Sequence, residues 1–283
     1  MNGTMLEVGM RVFNSRTCSI FGLCGGIVIA LALPVSARAG TVTACTAIDL
    51  CYCVNTDVRI QIDANVARVR QLIAEQRKQD KAIGYMSIPL STAGGSYFGV
   101  NTDVAALTKD NLEKRFGANS AWILNPGAEG NLPPAATGAD YMFMWTTILE
   151  GPKGLGEDFD FFYFVGPSAF RKFFGLDGTG DMGKIDAYFE QRLATDPNLK
   201  KAVDEKKVSK RTFRDYYALR ASVAFSYGSH DEWNIARIIN ERRRGADDFG
   251  IANQLSVLFD GPAAASGAAE APIASGDVGR CVN

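Results

Sequence analysis

Three short apolar runs, each stopped by a turn and followed by a stretch of helical period, set the limits on how this chain folds. They are Ala82–Leu90 (AIGYMSIPL), Ala121–Leu124 (AWIL) and Phe159–Val165 (FDFFYFV). Pro89 closes the first, Asn125-Pro126-Gly127 the second, and Gly166-Pro167-Ser168 the third. Short continuous apolar runs fit strands covered on both faces. Strands that alternate with helices pair in parallel, because a parallel pair needs a long crossover connection. The expected fold is therefore α/β, a mostly parallel sheet with helices on both faces in a Rossmann-like three-layer arrangement. Ligands of such sheets lie at the carboxyl ends of the strands. The loops after Leu90, Leu124 and Val165 are where chemistry is to be sought.

Between the runs, helices are expected. Asp63 is a candidate cap for a helix carrying Val66, Val69, Leu72 and Ile73 and reaching about Lys81. Thr102 or Asp103 opens a second helix, which ends at Phe116 with Gly117 as its C-cap. Tyr141–Leu149 fits a third. Two more are read at 168–174 and 182–194, then a solvated charged connector at 196–211. Phe213–Phe225 and Glu232–Arg243 are helical by composition, although Ala221–Ser226 also suits a strand. Val257–Phe259 carries a short strand signal. From Asp260 the chain is Ala/Gly/Ser/Pro-rich, as flexible linkers are, and it reaches Cys281 near its end.

The first 39 residues have the layout of a secretory signal peptide. Arg11 and Arg16 precede an apolar run from Cys18 to Leu33, and Ala37-Arg38-Ala39 supplies the small-x-small cleavage pattern. The run is shorter than the roughly 20 residues that span a bilayer, and none of spanning length follows. A periplasmic or secreted protein without stable membrane insertion is the expectation. Less the leader's three basic and one acidic residue, the chain holds 27 Lys and Arg against 30 Asp and Glu. That balance, without a basic stripe, argues against nucleic acid as a partner.

Cleavage would leave four cysteines, Cys45, Cys51, Cys53 and Cys281, an even count that suits two disulfides in an exported chain. Cys51 and Cys53 are too close in sequence to bridge each other without strain. Two pairings remain, Cys45–Cys51 with Cys53–Cys281 or Cys45–Cys53 with Cys51–Cys281. Both tie the C-terminus to the N-terminal segment. The domain reading is a leader over 1–39, a disulfide-bearing segment and helix over 40–81, the α/β domain over 82–259 and the anchored tail over 260–283.

His230 is the one histidine, so multi-histidine metal sites are excluded and any histidine-based triad is confined to this position. Gly178-Thr179-Gly180-Asp181-Met182-Gly183 matches G-x-G-x-x-G, but no strand runs directly into it, as a dinucleotide site requires. No metal or organic cofactor is expected.

The most informative segment is Gly228-Ser229-His230-Asp231-Glu232, with Ala236 four residues on. Taken with the first strand and its loop, Gly84 to Ser91, it resembles the nucleoside 2-deoxyribosyltransferase-like family. Proteins of that family open with a strand and a Pro-Leu-like turn. They later carry G-[ST]-x-x-E at a helix start, whose glutamate attacks the sugar's anomeric carbon. The sequence departs from that pattern at Ser226, where the family has an acidic residue, and at Asn234, where it has glycine. The resemblance implies an N-glycosidase or deoxyribosyl-type transferase with Glu232 as nucleophile and a nucleoside-like small molecule as substrate.

The site would be completed from the strand ends. Asp160 is the candidate general acid. Ser87, Ser91, Tyr97, Asn125, Ser168 and Ser229 are candidate substrate contacts, with Tyr85 or Tyr97 placed to stack on a base or sugar. The alternative is a non-catalytic periplasmic binding or interaction module, in which Ser229-x-x-Glu232 is only a capping box. The direction of the Glu232 side chain separates the two.

Overall fold

The computed structural model describes residues 40–90, 93–246, 253–262 and 276–282. The expected signal peptide and Ser91 lie outside the described residues. The chain is α/β, and its four-stranded sheet is parallel throughout. Among the described residues no helix is long and apolar enough to cross a membrane.

The first described segment is a hairpin, β1 (Thr41–Cys45) and β2 (Cys51–Asn55), where the sequence suggested only a cysteine-bearing lead. Cys45 lies directly opposite Cys51 in its antiparallel register, and the two are bonded. Cys53 is bonded to Cys281. Of the two expected pairings, the structure adopts the first. The C-terminal residues dock along the hairpin, with Val278 bridged to Tyr52 and the Cys281 N–H donating to Thr43 Oγ1 at 3.0 Å.

Helix α1 spans Thr56–Arg77 and begins seven residues before the expected cap. Asp63 instead pairs with Arg59 one turn earlier on the helix surface. The start is set from a distance. The buried carboxylate of Asp140 accepts from the Asn55 N–H at 2.8 Å and from Asn55 Nδ2 at 2.9 Å, turning the chain from β2 into α1.

Strand β3 (Ala82–Ser87) is followed by α2 (Phe98–Phe116), β4 (Ala121–Leu124), the short α3 (Pro126–Glu129), α4 (Gly138–Glu150) and β5 (Phe161–Phe164). Helix α4 opens with a capping box of Thr137 and Asp140. Then come α5 (Pro167–Phe174), α6 (Asp181–Thr195), α7 (Pro197–Asp204), α8 (Lys210–Leu219), α9 (Tyr227–Gly245) and β6 (Ser256–Phe259). Helix α7 replaces the expected solvated connector, started by Pro197 and by the Asp196 carboxylate accepting two backbone N–H groups. Ala221–Ser226 is not a strand. A 3₁₀ turn at Val223–Phe225 leads into α9, which starts five residues earlier than expected.

The strand order is β4-β3-β5-β6. From β3 the chain steps one way through α2 to β4, then returns past β3 through α4 to β5. Crossovers of one hand running in opposite directions place α2 and α4 on opposite faces of the sheet. Helices α1 and α9 pack beside α4, and α5 packs against α2. The central strands are thus covered twice, and Ile83, Tyr85, Met86, Ile123, Leu124, Phe162 and Phe164 are all buried. Connections diverge between β3 and β5, and a crevice for ligands is expected outside the carboxyl ends of such a pair. Ser87 and Phe164, in register, mark those ends.

Candidate active site

Glu232 reaches this divergence point from α9. The helix is capped by Ser226, whose Oγ accepts from the Ser229 N–H at 3.3 Å. Ser229 is therefore the third residue of the helix and Glu232 the sixth, too far inside to close a capping box with Ser229. The carboxyl group turns instead to the sheet. Tyr85 donates its hydroxyl to Glu232 Oε1 at 2.6 Å. Of the two sequence readings of Glu232, the capping role is the one this geometry removes.

Glu232 is 7% exposed. Burial pushes its pKa up to about 7 against 4.5 in solution, because a charge is costly away from water. Ser87 and Tyr85 pull in the other direction by favouring the carboxylate, and Asp231 adds a further upward push. A helix start favours the ionised form of a carboxyl group, but desolvation outweighs it here. Near neutral pH the group is divided between charged and neutral forms, as a group that exchanges protons or attacks carbon at that pH should be.

Three buried oxygens on β3 and α9 have no hydrogen-bond partner among the described residues, Glu232 Oε2, Ser87 Oγ and Ser229 Oγ. Ser87 stands beside the carboxyl, close enough to bias it toward ionisation without closing a hydrogen bond. Ser229 lies one turn before Glu232 on the same side of α9. Buried polar atoms are almost always paired, so Glu232 Oε2 and Ser87 Oγ, side by side at the strand end, stand out.

Tyr85 plays a different part from the stacking expected of it. Its ring is packed among Trp145, Phe159 and Phe162, so no face is left for a base, and only its hydroxyl is used. The sole sequence signal for that role is a tyrosine inside an otherwise apolar strand, a residue that needs a partner once buried.

The other expected members are held elsewhere. Asp160 lies before β5, at the amino end of the sheet, where its carboxylate accepts from the Ile83 N–H and pairs with Arg77, both at 2.6 Å. Ile83 is four residues before Ser87, about 13 Å along the strand. Asp160 is thus a brace for the sheet's far edge and is not brought to Glu232. Tyr97 packs at the start of α2, where its N–H donates to the Tyr217 hydroxyl at 3.0 Å and its own hydroxyl donates to Asp196. Asn125 caps α3 by accepting from the Gly127 N–H. Ser168, in the first turn of α5, is tied to Asp260 beyond β6. Of the named residues, then, Ser87 and Glu232 come together, with Tyr85 added by the fold.

Among the described residues no three His, Cys, Asp or Glu side chains gather as metal ligands would. Compared with protein-family models, with curated proteins and with solved structures, the chain gives no match in any of the three.

Proposed function

We propose that this chain is an exported α/β enzyme acting at an N-glycosidic bond, as a hydrolase or transferase related to the nucleoside 2-deoxyribosyltransferase-like family, with Glu232 as nucleophile. One observation carries the reading. A carboxyl group buried at the carboxyl end of the central strand has one oxygen held by Tyr85 and the other unpartnered among the described residues. Tyr85 fixes the group's orientation, so Oε2 is the oxygen left to attack.

In the reaction, Oε2 bonds to the anomeric carbon while the carbon–nitrogen bond breaks and its electron pair leaves with the base, which takes a proton from solvent. The resulting glycosyl ester is resolved by water or a second base, which restores the carboxylate. Only the ionised form of Glu232 attacks, so the upward shift of its pKa confines activity to neutral and alkaline solution. The two disulfides support export, since such bonds persist in oxidising compartments.

The test is base release from a panel of nucleosides and NAD by residues 40–283. Wild type should release base, and Glu232→Gln should lose at least about a thousandfold, as removal of a nucleophile does. Full activity in the variant, or none in wild type, would overturn the assignment, and the second outcome leaves the binding module as the reading.

A further inference from the structure

Ser87 is the last residue of β3 and is fully buried, with 0% of its surface exposed. Successive strand side chains point to opposite faces, so Ser87 and Tyr85 share the face that meets α9. Tyr85 spends its hydroxyl on Glu232 Oε1, whereas Ser87 Oγ has no partner among the described residues. The surroundings of Ser87 are fixed. Its carbonyl accepts from the Val165 N–H at 3.0 Å. Phe164, opposite Ser87 in register on β5, packs with its ring centre 4.5 Å from that of Trp233, the residue after Glu232 on α9. The Ser87 hydroxyl is thus held beside the carboxyl with its donor and acceptor capacity unspent.

A buried hydroxyl without a partner costs stability, and alanine at this position would avoid that cost. Its presence suits a ligand that brings the partner with it. Where that partner lies on a substrate follows from the direction of attack. The nucleophile approaches the anomeric carbon from the face opposite the departing base. In a nucleoside whose base is on the β face, that is the α face of the sugar. The 2′-hydroxyl of ribose projects from this same face, on the carbon bonded to the reacting one. Deoxyribose has no such hydroxyl, and in arabinose it lies on the side of the base.

We propose that the site takes ribosyl rather than 2-deoxyribosyl N-glycosides, with the 2′-hydroxyl donating to Ser87 Oγ on the face that Glu232 attacks. The inference rests on Glu232 as nucleophile, and it departs from the deoxyribosyl substrate that the sequence resemblance implies. As positive charge develops at the anomeric carbon, the 2′-hydroxyl becomes a stronger donor, so its bond to Ser87 tightens in the transition state. A sugar without that hydroxyl leaves Ser87 Oγ buried and unpaired. Sites discriminate in this way against analogues that lack one polar group.

Matched ribo-, 2′-deoxyribo- and arabino-nucleosides of adenine, guanine, cytosine and uracil are the probes, with base release by residues 40–283 giving kcat/KM for each. Within a matched set, wild type should favour the riboside over the arabinoside by roughly a hundredfold or more. Deoxyribosides are intrinsically more labile, because a 2′-hydroxyl withdraws electrons from the forming cation, so that comparison is read between proteins. Ser87→Ala should narrow both the ribo-to-arabino and the ribo-to-deoxyribo ratios roughly tenfold or more, through loss on the riboside alone. A merely structural role for Ser87 would lower all three sugars together. Equal loss on all three, unchanged ratios, or a wild type that treats arabinosides and ribosides alike overturns the contact and leaves Glu232 as nucleophile. Base release from no probe removes the assignment of Glu232 and this inference with it. Loss of release from every sugar in Glu232→Gln, beside a narrowed ratio in Ser87→Ala, supports both.

Discussion

Tyr85 and Glu232, 147 residues apart in sequence, meet at 2.6 Å across the packing of β3 against α9. The bond joins a central strand to the last long helix, and both groups are buried. It also leaves the protein with a carboxyl group whose charged form is poorly solvated, at a cost in stability.

That cost has a pH signature. The folded-state pKa of Glu232 is raised to about 7, so the contribution of its neutral form is complete below about 4.5 and disappears as pH rises to 7. At about 1.4 kcal/mol per pH unit, the stability lost across the window is about 3 kcal/mol. Glu232→Gln should lack this descent and be the more stable form at pH 8. Urea unfolding of both proteins from pH 4 to 8 measures it, and parallel curves would refute the assignment of the shift to this residue.

The same titration governs activity. With ionised Glu232 as the attacking group, kcat/KM for base release should rise through an apparent pKa near 7 and level off above it. Tyr85→Phe removes a donor that favours the carboxylate, so the rising limb should move to higher pH. A limb that stays in place would show that Tyr85 does not set the ionisation of the reacting group.

Tyr85→Phe and Ser87→Ala should differ in stability. The first breaks a buried hydrogen bond to a carboxyl group and should cost about 1–3 kcal/mol. The second deletes a buried hydroxyl that has no partner among the described residues, so it should be neutral or slightly stabilising. Thermal melts at pH 5, where Glu232 is neutral in the folded state, compare the two without the titration intervening. A larger loss for Ser87→Ala than for Tyr85→Phe would reverse the roles given to them.

Gly84 in β3 is required by close approach. A Cβ there would lie 2.4 Å from the Phe161 ring on β5 and 2.8 Å from Ile123 on β4. Gly84→Ala should therefore cost about 1–3 kcal/mol by overpacking the sheet. Denaturant unfolding reads the loss, and an unchanged midpoint would mean that Phe161 simply swings aside.

The two disulfides should contribute unequally. Cys53–Cys281 spans 228 residues and Cys45–Cys51 only 6, and the longer closed loop restricts the unfolded chain more. Cys53→Ser with Cys281→Ser should lower stability by about 2–5 kcal/mol, and Cys45→Ser with Cys51→Ser by less. Mass spectrometry of unreduced peptides should recover Cys53 linked to Cys281; a Cys51–Cys281 peptide would show the other pairing.

What the chain's letters determined was local. Ala82–Ser87, Ala121–Leu124 and Phe161–Phe164 are strands because their apolar runs are short and stopped by turn residues, and their alternation with helices required parallel pairing. Glu232 stood out through its neighbours Gly228 and Ser229. What only tertiary structure decided were pairings between distant groups. Asp140 set where α1 begins, through Asn55, and Ser226 rather than Ser229 took the cap of α9. Asp160 was drawn to Arg77 at the wrong end of the sheet for chemistry, while Tyr85 was turned from a stacking surface into the partner of Glu232. Hydrophobic period and turn chemistry act over a few residues and can be read along the chain. The partner of a buried polar group depends on which strand ends and helix faces the packed core brings together, and desolvation, which sets the ionisation of Glu232, exists only once that core has closed.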